Sequence, residues 1–137
     1  MKLTVKLEYA CRALVQLAKR YEGSGVSSIE ELASVEKIPA KYLAQILSEL
    51  RNGGLVESRR GKQGGYLLAR APDQISIYDV ISLIESEMFS ESSRVSGDSG
   101  EAIAKAWAEI QERFEDIVRS ITLAELAVRE NQEMYYI

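Results

Sequence analysis

The stretch Ala40-Lys41-Tyr42-Leu43-Ala44-Gln45-Ile46-Leu47-Ser48-Glu49-Leu50-Arg51-Asn52-Gly53-Gly54, continued by Leu55-Val56-Glu57-Ser58-Arg59-Arg60-Gly61-Lys62-Gln63-Gly64-Gly65-Tyr66-Leu67-Leu68-Ala69, decides how this chain folds. Leu43, Ile46, Leu47 and Leu50 recur at spacings of three and four, which builds a helix with one apolar side. Lys41, Tyr42, Ala44, Gln45 and Ser48 are left on or near the opposite face. Gly53-Gly54 ends the helix, because glycine relieves the left-handed turn that a helix C-terminus requires. Two short strands follow over 55–59 and 66–69. The loop between them, Arg60-Gly61-Lys62-Gln63-Gly64-Gly65, has three glycines and two cations and forms a basic hairpin tip.

Working outward, Leu7, Ala10, Leu14, Leu17, Ala18 and Tyr21 predict an amphipathic helix over 5–21, stopped by Gly23-Ser24-Gly25. Ser27 and Ser28 precede Glu30 and Glu31, offering two overlapping capping boxes for a short helix over 29–35. Glu36-Lys37-Ile38 makes a tight connection, and Pro39 suits the first turn of the next helix. Helix, helix, turn, helix and basic hairpin is the order of parts in a winged helix-turn-helix. Downstream, Ser76 caps a helix over 77–85, and the polar run 90–100 predicts a mobile loop. Ile103, Trp107, Ile110, Phe114, Ile117 and Ile121 then step by four and three, a heptad seam that calls for a partner helix. Thr122 and Glu125 open a last short helix through Val128.

The expectation is a mainly α chain. A winged helix-turn-helix domain with a two-stranded β wing spans 1–86, a flexible loop 87–100, and a long C-terminal dimerisation helix, short helix and tail 101–137. The expected core is Leu14, Leu17, Leu32, Leu43, Ile46, Leu50, Val56, Leu67, Val80 and Ile84, with Trp107 and Ile110 toward the dimer.

Charge narrows the function classes. The 137 residues carry a net −4, which argues weakly against a nucleic-acid partner, but the average misleads. Residues 1–76 hold twelve basic and eight acidic side chains, a net +4, whereas 77–137 hold five and thirteen, a net −8. Between Lys37 and Arg70 seven cations face two acids. Such segregation fits one end meeting an anionic polymer. Cations near phosphates supply affinity for DNA and side chains at base edges supply specificity. An arginine such as Arg60 at a glycine-rich tip can enter a narrow minor groove, and Gln45 on the exposed helix face can pair with adenine in the major groove.

Enzyme classes fare poorly: there is no histidine, no phosphate-cradling G-x-x-x-x-G-K motif and no metal-ligand cluster. The single Cys11 excludes an internal disulfide framework and points to a reducing cytoplasm. It reads as a small core hydrophobe, with a redox-sensing thiol as the alternative. No signal-peptide pattern and no run of ~20 apolar residues supports secretion or membrane spanning. Trp107 and Phe114 read as dimer core, with the lining of an effector pocket as the alternative. Tyr135, Tyr136 and Ile137 could dock into a partner's pocket through aromatic side chains and a carboxylate, or form a frayed or dimer-packed tail.

Leu3-Thr4-x-Lys6-x-x-Tyr9-Ala10, Tyr42-Leu43-x-Gln45, Leu50-Arg51-Asn52-x-Gly54-Leu55-Val56 and Arg60-Gly61-x-x-Gly64-Gly65-Tyr66 together resemble the Rrf-two family of winged-helix transcriptional regulators, typified by IscR, NsrR and CymR. The resemblance covers nearly the whole chain. It implies a homodimeric repressor whose long helices cross between subunits and whose wings bind double-stranded DNA at a palindromic operator. It implies that Tyr42 and Gln45 touch bases or the adjacent backbone, that Lys41 touches phosphate, and that Arg60 enters the minor groove beside Gly61 and Lys62. Thr4 and Lys6 would meet the flanking backbone.

The chain departs from the family in places. Ala44 stands where some relatives carry a base-screening glutamate, and Glu8 where relatives are often basic. The family's iron–sulfur cluster is held by three cysteines before the long helix, and 88–100 has none here. With one cysteine and no histidine, no metal or cofactor is expected. Glu8 matches a carboxylate ligand of one branch and, without the cysteines, reads as a surface acid. The empty loop and the terminus look similar to the cluster-free CymR branch, which implies an alternative role in binding an enzyme such as cysteine synthase through the tail.

Overall fold

Thr4 opens helix α1 (Val5–Lys19) by accepting the Leu7 N–H at 3.2 Å. The computed structural model describes residues 1–23, 25–90 and 95–135, with side chains up to 129. Helix α1 buries Leu7, Ala10, Ala13, Leu14 and Leu17. It stops short of Tyr21, which is exposed, because the Arg20 N–H turns back onto the carbonyls of Leu17 and Ala18 in a tightened last turn.

Helix α2 (Ile29–Glu36) is capped by Ser28, whose Oγ accepts the Glu31 N–H at 3.1 Å. The other predicted cap, Ser27, is buried and serves elsewhere. Its N–H donates to the Tyr66 carbonyl at 2.9 Å, and its carbonyl accepts the Tyr66 N–H at 2.7 Å. This bridge ties the wing to the start of the helix-turn-helix. A Cβ at Gly65 would lie 2.3 Å from the Ser27 carbonyl oxygen, so the bridge requires glycine there.

Lys37 takes the left-handed conformation (φ 56, ψ 49) and turns the chain out of α2. Helix α3 (Ala40–Asn52) starts on the Pro39 carbonyl, which accepts the Leu43 N–H at 2.9 Å. It ends in a Schellman closure around Gly54 (φ 80): the Gly54 N–H reaches Arg51 at 3.0 Å and the Leu55 N–H reaches Leu50 at 2.9 Å.

Strand β1 (Val56–Arg59) pairs antiparallel with β2 (Gly65–Leu68), setting Val56 opposite Leu68 and Glu57 opposite Leu67. The expectation of Leu67 in the core is corrected by this register. Successive side chains alternate between faces, so Leu68 joins Val56 in the core and Leu67 is half-buried opposite Glu57. Ile84 is likewise only partly buried, packed against the core's edge.

After a 3-10 turn (Pro72–Gln74), Ser76 and Asp79 form a reciprocal capping box at 2.9 and 3.2 Å that opens α4 (Ile77–Ile84). A second 3-10 turn (Ser86–Phe89) occupies the start of the segment expected as loop, then α5 (Gly100–Ser120) and α6 (Leu123–Tyr135) follow. Helix α6 extends past the expected end at Val128.

The C-terminal part shares one core with the winged domain: Val118, Leu123 and Ala127 are buried in the same cluster as Leu14, Leu43 and Val80. The Ile77 N–H donates to Ile121 and the Leu123 N–H to Ile75, each at 2.9 Å, so the chain between α5 and α6 clips onto the start of α4. Each fully buried leucine contributes about 1.5–3 kcal/mol. Among the described residues no helix is long and apolar enough to cross a membrane.

Helix α5 is the exception to this packing. Over its 21 residues only Val118 is buried, and Ile103, Trp107, Ile110 and Ile117 lie exposed, Trp107 at 64 %. The predicted seam divides. Phe114 turns inward, its ring 5.8 Å from Phe89, which itself stacks on Tyr78 at 4.9 Å. Ile121 lies beyond the helix end and is half-buried.

Candidate nucleic-acid interface

The side of α3 away from the core presents Lys41 and Gln45 to solvent, with Ala44 and Ser48 half-buried between them and the core side. Tyr42 is not free. It packs edge-to-face on Tyr9 of α1, ring centroids 5.6 Å apart at 74°. Lys6 of α1 reaches across to Glu49 of α3 at 2.7 Å, both side chains partly exposed. Thr4 caps α1 and also donates to Glu85 Oε1 at 2.5 Å. Both α1 residues expected at the DNA backbone are therefore engaged with acidic side chains.

At the wing tip Arg59, Arg60, Gly61 and Lys62 are all exposed. Gly61 has φ 110, a conformation that side chains resist, so glycine shapes the tip. Arg59 is 3.9 Å from Glu57. Among the described residues Arg60, Lys62 and Lys41 form no ion pair, leaving their charges available to an external anion.

A group that sequence reasoning missed lies over Tyr9. Arg12 of α1 donates from Nη2 to the carbonyl of Glu36, the last residue of α2, and its Nε lies 3.6 Å from the Glu36 carboxylate. Its Nη1 is 3.6 Å from Glu8, and the guanidinium sits 5.0 Å from the Tyr9 ring centroid. The spacing of four between Glu8 and Arg12 was a signal in the sequence for that pair. The contact to α2 had none.

The family resemblance implies an iron–sulfur cluster, but the donor set does not fit one. Such a cluster needs several thiolates or imidazoles, and the chain has one cysteine and no histidine. Cys11 packs against the core on α1, and burial, reinforced by Glu8, pushes its thiol up to about 11. Among the described residues no group of three or more acidic, histidine or cysteine side chains could hold a metal ion. Two surface cavities, of about 350 and 490 Å³, are lined by Tyr78 and Arg119 and by Tyr21, Pro72 and Val128 respectively, not by Trp107 or Phe114. The side chains of Tyr135, Tyr136 and Ile137 lie outside the described residues.

A helix-turn-helix with an exposed polar face, followed by a cationic β wing, is the architecture of a winged-helix transcription regulator. A family model described as Rrf2, iron-dependent transcriptional regulator, matches residues 3–129. The chain belongs to the Rrf2 (Rrf-two) family. It is 34% identical over 141 residues to the transcriptional regulator CymR of Bacillus subtilis, covering all of both chains. It is 34% identical over 140 residues to the regulator IscR of Erwinia tasmaniensis, covering 98% of this chain and 82% of that one. The solved structure of B. subtilis CymR, the global cysteine regulator of that organism, superposes with a TM-score of 0.82 at 33% identity, covering 94% of this chain and 98% of that one.

Proposed function

We propose that the chain is a homodimeric repressor that reads a palindromic operator without a metal cofactor. The observation that carries the DNA-reading part is the set of unpaired cations and one amide on two adjoining elements: Lys41 and Gln45 on α3, Arg60 and Lys62 on the wing. In this reading Gln45 and Tyr42 meet base edges or the adjacent backbone, Arg60 enters a narrow minor groove, and Lys41 and Lys62 hold phosphate, while Thr4 and Lys6 lie beside the flanking backbone, tied to Glu85 and Glu49. The exposed stripe Ile103, Trp107, Ile110 and Ile117 on α5 supports the homodimer, because large apolar side chains at heptad spacing gain by burial against a second copy. Phe114 and Ile121 contribute at its inner margin.

The test compares Arg60→Ala with Lys41→Ala on operator and random duplexes at several salt concentrations. Arg60→Ala should weaken operator binding more than random binding, whereas Lys41→Ala should weaken both alike and reduce the salt slope by about one. The reverse pattern exchanges their roles, and no effect of either removes this surface from the interface.

The end-to-end match to CymR, a global cysteine regulator, supports a second reading, in which the tail Tyr135, Tyr136 and Ile137 binds an enzyme of cysteine metabolism such as cysteine synthase. Deleting 134–137 should then abolish co-purification with that enzyme and leave operator binding intact.

A further inference from the structure

We infer that Arg12 is a positioning residue for operator reading: its guanidinium locks the turn of the helix-turn-helix and, through Tyr9, the seat of Tyr42 on α3. The inference rests on the proposal that α3 reads bases.

One planar group serves four partners at once. Arg12 donates to the Glu36 carbonyl, lies 3.6 Å from the carboxylates of Glu36 and Glu8, and covers the Tyr9 ring at 5.0 Å. Glu36 closes α2, so its carbonyl is one of the orphan acceptors of a helix C-terminus, where a cation is favoured. Directly after it comes Lys37 in the left-handed conformation, then Ile38 and Pro39, and then α3. Fixing that carbonyl therefore fixes the three-residue turn from which α3 departs.

The second line runs through the rings. Tyr9 is held between the Arg12 guanidinium and Tyr42, whose edge-to-face contact at 5.6 Å bears on the first turn of α3. The two lines meet at the N-terminal end of α3, which carries Lys41 and lies one turn before Gln45. Base-edge hydrogen bonds weaken steeply with small displacements, so a helix held at one end by both contacts keeps its register on the bases.

Two other roles fit the geometry less well. A direct phosphate contact needs a free cation, and Arg12 is neutralised by two carboxylates while Lys41, Lys62 and Arg60 are not. A surface ion pair needs no carbonyl contact and no ring. Only a flat, forked group serves all four partners at once, and lysine, a compact point charge, cannot.

The test uses the full-length chain with Arg12→Lys, Tyr9→Phe and Tyr9→Leu. The probes are a duplex enriched from a random pool by the wild type and a scrambled duplex of equal length, each across a salt series. Arg12→Lys should lose about tenfold in affinity for the enriched duplex, the scale of one charge-assisted hydrogen bond, with scrambled binding and salt slope unchanged. Tyr9→Phe keeps the ring and should behave as wild type, and Tyr9→Leu should repeat the Arg12→Lys loss. Equal losses on both duplexes with a slope reduced by about one would make Arg12 a phosphate contact and overturn the inference. Unchanged selectivity in Arg12→Lys overturns it as well. Should Arg12→Lys fail to fold, the Tyr9 pair decides, since Tyr9→Leu with selectivity intact also overturns it. If the wild type enriches no sequence, the DNA-reading proposal itself fails, an outcome distinct from a selective wild type matched by Arg12→Lys.

Discussion

Replacing Glu49 by glutamine should strengthen DNA binding while barely touching the fold. Glu49 holds Lys6 at 2.7 Å, with the two side chains 45% and 33% exposed. A pair so exposed contributes about 0.2–1 kcal/mol to stability, so the melting temperature should shift by a few degrees at most. The effect on DNA is larger. The released Lys6 ammonium gains one phosphate, and each phosphate neutralised steepens the dependence of log K on log salt by about 0.9. Between 50 and 200 mM salt that is about a threefold greater change in affinity. Removing an acid from α3 adds a uniform gain on any sequence. Fluorescence anisotropy across a salt series on operator and random duplexes, with Glu49→Gln, Lys6→Gln and the double variant, resolves the terms. Glu49→Gln should bind both duplexes more tightly with the steeper slope, and the double variant should lose that added slope. If Glu49→Gln leaves the slope unchanged and Lys6→Gln alone reduces the wild-type slope by about 0.9, Lys6 already leaves Glu49 for phosphate and the reasoning is refuted.

The remaining predictions concern the core, the thiol and the dimer. Leu68→Ala should destabilise the chain by about 2–5 kcal/mol in urea unfolding and Leu67→Ala by clearly less, because Leu68 is buried opposite Val56. Cys11 should resist alkylation at pH 8 and react only as pH nears the value of about 11 to which burial and Glu8 raise its thiol. Its folded value lies above the ordinary 9.0, so the stabilisation it contributes is complete below pH 9 and is lost as pH rises toward 11, as pH-dependent melts of wild type and Cys11→Ala would show. Trp107→Glu should convert a dimer into a folded monomer in sedimentation velocity, since Trp107 is 64% exposed in the isolated chain; a variant that remains dimeric would move the dimer contact elsewhere.

Helix α3 and the wing were legible in the sequence because their periodicities differ and glycines mark the joints: Leu43, Ile46, Leu47 and Leu50 could face only one way, and Gly61, Gly64 and Gly65 could only be a tip. The strand face was not legible. Leu67 and Leu68 are both apolar, and the choice between them is made by the register and by the bridge from Ser27 to Tyr66, a contact between residues far apart in sequence. The same limit explains Phe114, which falls on a heptad position yet turns toward Phe89 because the 3-10 turn before α5 delivers a ring there. Lys41, Gln45, Arg60 and Lys62 are exposed as expected, whereas the ties from Lys6 to Glu49 and Thr4 to Glu85 could not be read, since they join α1 to helices more than forty residues away. Nothing in the sequence joins Arg12 to α2, and its meaning comes only from the carbonyl of Glu36.

The central proposal is sequence-selective DNA binding without a metal cluster, and it is tested most directly by equilibrium binding of the purified, metal-free protein. The probes are DNA from upstream of its own gene and random DNA of equal length, at two salt concentrations. The protein should show a large preference for one upstream segment that persists at the higher salt, because base contacts from Gln45 and Arg60 survive screening better than phosphate contacts. Weak binding of equal strength to both duplexes, vanishing as salt rises, would contradict it.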